Sequence, residues 1–147
     1  MHLIKVRIDP NIGGLHKRMQ SIMDEMLNLG RPLLPLSDTG WVPEADMYET
    51  SDHIILVVNL AGVNIEDIGI VFHQNHLRID GKRHLPAHAD TSARYHQLEI
   101  GYGDFERIFR IPAVIESEHI EASVANGMLT VRMKKQKPRN VHVDIGS

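Results

Sequence analysis

A chain of 147 residues has room for one domain with arms and too little for two ordinary domains. Its 42% apolar content suits a soluble globular protein, and no apolar run approaches the length needed to cross a bilayer. The absence of cysteine excludes disulfides, thiol nucleophiles and Cys-based metal sites, and a formal net charge of -3 gives no general electrostatic reason to bind nucleic acid.

The first eight residues, Met1 to Ile8, alternate polar and apolar and lack the apolar core and cleavage site of a signal peptide, so a cytoplasmic location is expected. They open an N-terminal arm, residues 1–41. Within it Leu15, Met19, Ile22, Met23, Met26 and Leu27 follow helical spacing and predict an amphipathic helix over about 15–29, ended by Gly30 and Pro32. Four of the seven methionines lie in the first 26 residues, and methionine suits a surface that must accept varied partners. Met19, Ile22, Met23, Met26 and Leu27 are therefore candidates for client or oligomer contact. An ordinary helix packed on its own domain or a neighbour is the competing reading. The stretch from Arg31 to Gly40 holds two prolines and reads as a linker.

Strand signals follow. Ile54 to Leu60 is a short β-branched run, best read as a buried strand. After a polar turn at Gln74-Asn75, Leu77 and Ile79 alternate with Arg78 and Asp80. A long connection, about 84–104, contains the weakly alternating Tyr95 to Ile100 and the turn Gly101 to Asp104. In Phe105 to Pro112, period 2 puts Arg107 on the face of Phe105, Phe109 and Ile111. A guanidinium stays there only beside a carboxylate or several acceptors, or by a twist that lets it reach water. Ile120, Ala122 and Val124 alternate into Asn126-Gly127, and Leu129, Val131 and Met133 alternate out of it. That is a hairpin around a type I′ turn. A basic linker, Lys134 to Arg139, then precedes Val141, Val143 and Ile145, which alternate with His142 and Asp144.

Ala122, three residues, then Asn126-Gly127-Met128-Leu129 resembles the signature of the small heat-shock proteins, the α-crystallin family of ATP-independent holdase chaperones, in its bacterial form. Further stretches are similar to that family in order. They are Trp41 to Thr50 as a first core strand, Ala61-Gly62-Val63 with Ile65 to Ile68 leading into a strand to Phe72, His76 to Arg83, and Phe105 to Pro112. The resemblance implies an all-β, immunoglobulin-like antiparallel sandwich of about seven to nine strands over 42–135, with a helical arm before it and a C-terminal extension, 136–147, after it. It also implies that the long loop carries a strand exchanged with a second subunit, with Tyr95, Leu98, Glu99, Ile100 and Arg107 at the dimer interface. Glu99 of one chain is then the expected partner of Arg107 in the other. The last segment resembles the family's Ile-x-Ile/Val anchor, which seats two apolar side chains in a groove at the sheet edge of a neighbour. Two registers are open, Val141 with Val143 or Val143 with Ile145. A frayed terminus is the plain alternative.

By resemblance the chain is a holdase that binds unfolding clients and prevents their aggregation, as an oligomer of strand-exchanged dimers. Its expected partners are itself, unfolding clients and ATP-dependent chaperones acting downstream, with no nucleic acid and no membrane span. A co-chaperone or protein-binding module with a similar sandwich is the rival, and a ligand-binding sandwich a more distant one. No enzyme activity is expected. His73 with His76 and His84 with His88 lack an evident third ligand, and no Gly-rich phosphate loop occurs, so neither metal nor cofactor is expected. The ten histidines suggest a pH response instead. Protonating all of them moves the formal charge from -3 to +7.

Overall fold

Two tight turns set much of the strand pairing in the computed structural model, which describes residues 2–8, 40–86 and 93–137. Asn126 (φ 53°) and Gly127 (φ 77°) are both left-handed, as a two-residue hairpin demands, and Gln74 (φ 45°) and Asn75 (φ 62°) repeat the device. Gly127 is further constrained, since a side chain there would stand 2.9 Å from the Ala61 Cα. Its carbonyl accepts a hydrogen bond from the Leu60 amide at 2.8 Å.

Nine strands form among the described residues: β1 (His2–Ile4), β2 (Arg7–Ile8), β3 (Ala45–Glu49), β4 (His53–Asn59), β5 (Gly69–His73), β6 (His76–Arg83), β7 (Gly103–Arg110), β8 (Ile115–Ala125) and β9 (Met128–Lys135). They make two sheets, ordered β1-β8-β9-β4-β3 and β2-β5-β6-β7. Every pairing is antiparallel except β2 with β5. The fold is thus the all-β sandwich expected, with one parallel ladder added at an edge.

The core lies between the sheets and follows the period-2 pattern. Ile54, Leu56 and Val58 of β4 meet Leu129, Val131 and Met133 of β9 in the five-stranded sheet. Ile70 and Phe72 of β5, Leu77 and Ile79 of β6, and Phe105 and Phe109 of β7 face them from the other. Asn75 ties the second sheet to the loop that crosses between them. Its side-chain amide donates to the Ile111 and Ala113 carbonyls, each at 2.8 Å, and its own carbonyl accepts from the Ile111 amide at 2.9 Å.

Residues 2–8, which the sequence reading placed in the arm, cross from one sheet to the other. The predicted helix over 15–29 lies outside the described residues.

Candidate functional site

Two places in this sandwich leave backbone or apolar surface for something else to use. The first is the side where β3 and β7 are the outermost strands of their sheets. An outermost strand carries a row of backbone donors and acceptors free to pair with another chain. The long loop returns to the sandwich at this side through a packed cluster. The Trp41 indole N–H donates to the Gly103 carbonyl at 3.0 Å, and its ring meets Phe105 edge-on at 5.3 Å between centroids. Arg83 stacks its guanidinium 3.7 Å from the Trp41 ring centroid while donating to the Ala61 carbonyl at 2.8 Å and the Gly101 carbonyl at 2.9 Å. Gly101 is required, because a Cβ there would fall 2.4 Å from the Trp41 Cβ. Burial lowers the Arg83 pKa from its ordinary value, with Tyr102 acting in the opposite sense.

Upstream of that clamp, residues 93–100 form no strand and stand exposed. Tyr95 is 52% exposed, Leu98 68% and Ile100 62%, which is costly apolar surface for a monomer to present in one short segment. Glu99 is exposed beside them. Arg107 is partly buried on β7. Its guanidinium donates to the Pro43 carbonyl at 3.0 Å, just ahead of β3, and lies 4.6 Å from the Phe109 ring centroid. Burial lowers its pKa too, which registers the cost of holding a charge there. Arg107 thus bridges the two sheets at the side where the exposed loop segment ends.

The second place is the opposite side, a cleft between β8 and β5. Here Ala122, only 2% exposed, is opposed by Ile4 across the β1–β8 pair, and Ile8 lies opposite Phe72 in the β2–β5 pair. Ile4 and Val6 pack against the core cluster. The small Ala122 side chain leaves room for its larger partner. Of the other signature residues, Asn126 and Gly127 make the turn, Leu129 is fully buried and Met128 is 38% exposed. Sequence reasoning missed residues 2–8 as part of a site. The signal is present, since their alternation is a strand pattern, but so short a pattern does not say which sheet edge it joins.

The proposed anchor residues Val141, Val143 and Ile145, and the proposed client-contact residues Met19, Ile22, Met23, Met26 and Leu27, lie outside the described residues. Of the histidine pairs weighed as metal ligands, His76 and His84 make local contacts. His76 Nδ1 is 2.9 Å from the Gln74 carbonyl, and His84 Nε2 is 3.1 Å from an Asp67 carboxylate oxygen. His73 is 4% exposed. Among the described residues no three His, Asp or Glu side chains converge as metal ligands, and no helix is long and apolar enough to cross a membrane.

The Hsp20/alpha crystallin family model matches residues 46–145. Small heat shock protein C2 of Rickettsia felis is 29% identical over 130 residues, covering 85% of this chain and 84% of that protein. Spore protein SP21 of Stigmatella aurantiaca is 27% identical over 107 residues, 71% of this chain, and the match spans 63% of SP21's length. Among solved structures, heat shock protein 16.0 from Schizosaccharomyces pombe superposes with a TM-score of 0.60 at 29% identity, over 71% of this chain and 99% of that one.

Proposed function

This chain belongs to the Hsp20/alpha crystallin family, and from that premise we propose that it is an ATP-independent holdase chaperone, working in the cytoplasm as an oligomer built from strand-exchanged dimers. It binds unfolding proteins through apolar surface and keeps them from aggregating, and ATP-dependent chaperones act downstream on what it holds. The observation that carries the reading is the exposed segment Tyr95, Leu98 and Ile100, anchored at Gly101 beside the unpaired edges of β3 and β7. A segment of that kind gains backbone partners and buries its apolar side chains when it adds to the β3 edge of a second copy. Added there, it brings Glu99 toward the partner subunit's sheet junction, where Arg107 has one carbonyl partner and an aromatic face. The Met-rich face of residues 19–27 supplies adaptable client contact, and the Val141, Val143 and Ile145 segment links dimers.

The test is the solution mass of the full chain beside a truncation ending at Arg139, with aggregation of a heat-labile client followed for both. The expected result is a large oligomer that falls toward dimer on truncation, and suppression of client aggregation without ATP. A monomeric full chain that leaves aggregation unchanged overturns the reading in favour of a protein-binding module.

A further inference from the structure

The turn between β8 and β9 carries a chemistry that its structural role does not use. Asn126 and Gly127 both have positive φ, and Asn126 is exposed. Ala125 and Met128 are the last register partners, so the two turn residues lie outside the ladder. Among the described residues neither the Asn126 side chain nor the Gly127 N–H has a hydrogen-bond partner. In this arrangement the Gly127 nitrogen can give up its proton, attack Cγ of Asn126 and form a C–N bond. The Cγ–Nδ2 bond breaks, and Nδ2 leaves as ammonia with the proton that Gly127 released. One water then opens the five-membered imide. Opening at one carbonyl gives aspartate with the normal backbone, and opening at the other gives isoaspartate, whose backbone is longer by one methylene.

Glycine hinders that attack least, because no Cβ stands beside the nitrogen and its backbone turns freely. The other described asparagines differ on both counts. Asn59 precedes Leu60, Asn64 precedes the β-branched Ile65, and Asn75 precedes His76. Their side chains are also engaged. Asn59 accepts from the Ala61 amide, Asn64 donates to Asp67, and Asn75 donates to the Ile111 and Ala113 carbonyls.

The effect of such a change follows from how the turn is docked. The Gly127 carbonyl is bonded to the amide of Leu60, a residue only 1% exposed, and a Cβ on Gly127 would stand 2.9 Å from the Ala61 Cα. The turn therefore has no slack toward residues 60–61. A methylene added ahead of Gly127 either breaks the Leu60 bond or displaces Ala61. The Ala61 carbonyl is one of the two acceptors of Arg83, whose guanidinium also lies over the Trp41 ring and donates to the Gly101 carbonyl. An unbroken run of contacts thus leads from the β8–β9 turn, through Ala61 and Arg83, to the base of the exposed segment 93–100.

We propose that Asn126 is a site of spontaneous deamidation and isomerisation, and that its isoaspartyl product loosens the Arg83 clamp at the base of residues 93–100. The turn is then an age-dependent control on how firmly that segment is held. The proposal stands apart from the chaperone reading, because it concerns bonds within one chain.

The experiment ages the purified full chain at mildly alkaline pH, where the attacking nitrogen loses its proton more readily. Mass spectrometry of the peptide containing Asn126 follows the replacement of NH2 by OH, and enzymatic methylation of isoaspartate measures the longer isomer. Trp41 is the sole tryptophan and lies in the clamp, so its fluorescence reports the clamp directly. Asn126 is expected to convert at least ~10-fold faster than Asn64, with Trp41 emission shifting in step with isoaspartate. Asn126→Gly keeps a pair that suits the turn and is expected to hold its emission constant over the same period. Freshly prepared Asn126→Asp has the new charge without the extra methylene and is expected to emit as the unaged chain does. An Asn126 still intact after Asn64 has converted overturns the site. Isoaspartate at position 126 with unchanged Trp41 emission, or a shifted emission in fresh Asn126→Asp, overturns the coupling to the clamp.

Discussion

At the residue scale, two side chains do more than their type suggests. Asn75 combines a left-handed backbone with two donated hydrogen bonds to the carbonyls of the crossing loop. Asn75→Asp keeps the backbone preference but replaces the donors with a carboxylate facing two carbonyl oxygens. Thermal unfolding should report a loss of about 1 to 3 kcal/mol at neutral pH, and an unchanged midpoint would mean the two bonds contribute nothing net. Arg107 has one carbonyl and one aromatic face in the single chain. If Glu99 of a second chain completes its environment, Arg107→Ala weakens the dimer by about 2 to 5 kcal/mol while the isolated sandwich stays folded. A double-mutant cycle with Glu99→Gln, read by dimer dissociation, should then give a coupling of about 1 kcal/mol or more. Strict additivity would refute the pair. The sequence marked Arg107 as anomalous from its place on an apolar face, but the Pro43 carbonyl was invisible there because 64 residues separate the two.

At the element scale, the contrast between β6 and residues 95–100 is informative. β6 alternates fully buried Leu77 and Ile79 with partly buried Arg78 and Asp80, and Arg78 pairs with Asp80 at 2.9 Å and with Glu106 at 3.1 Å across to β7. Its hydrophobic and ionic partners lie in the same chain, so it is a strand in the monomer. Residues 95–100 have similar alternation but pair with no strand among the described residues, so they are not. Replacing Tyr95, Leu98 and Ile100 together with Asp should leave the far-UV circular dichroism and melting of the sandwich nearly unchanged, because all three are exposed. Sedimentation should show the proposed dimer lost. A triple variant that still dimerises at the original concentration would place the interface elsewhere.

For the whole molecule, the ten histidines offer a test of how charge bears on the proposed assembly. Carrying the formal charge from -3 toward +7 takes it through zero and then to a larger positive magnitude, so repulsion between the subunits of the proposed oligomer first falls and then rises. Light scattering between about pH 7.5 and pH 5.5, a range that brackets histidine's ordinary titration, should therefore show a change in particle size. Particles of equal size at both ends would remove the histidines from any role in assembly.

Local pattern determined much of this protein. The Asn126-Gly127 hairpin, the buried alternation of Leu129, Val131 and Met133, and the strands around Gln74-Asn75 were all legible, because left-handed turn residues and period-2 burial are properties of a few adjacent residues. What only the tertiary structure decided is which edge receives which strand. The alternation of residues 2–8 says that one face is apolar, yet nothing within eight residues specifies that Ile4 lies against Ala122 and Ile8 against Phe72. That choice depends on a cleft made jointly by β8 and β5, whose paired residues stand some 50 positions apart in the chain and meet only when the two sheets close on a common core.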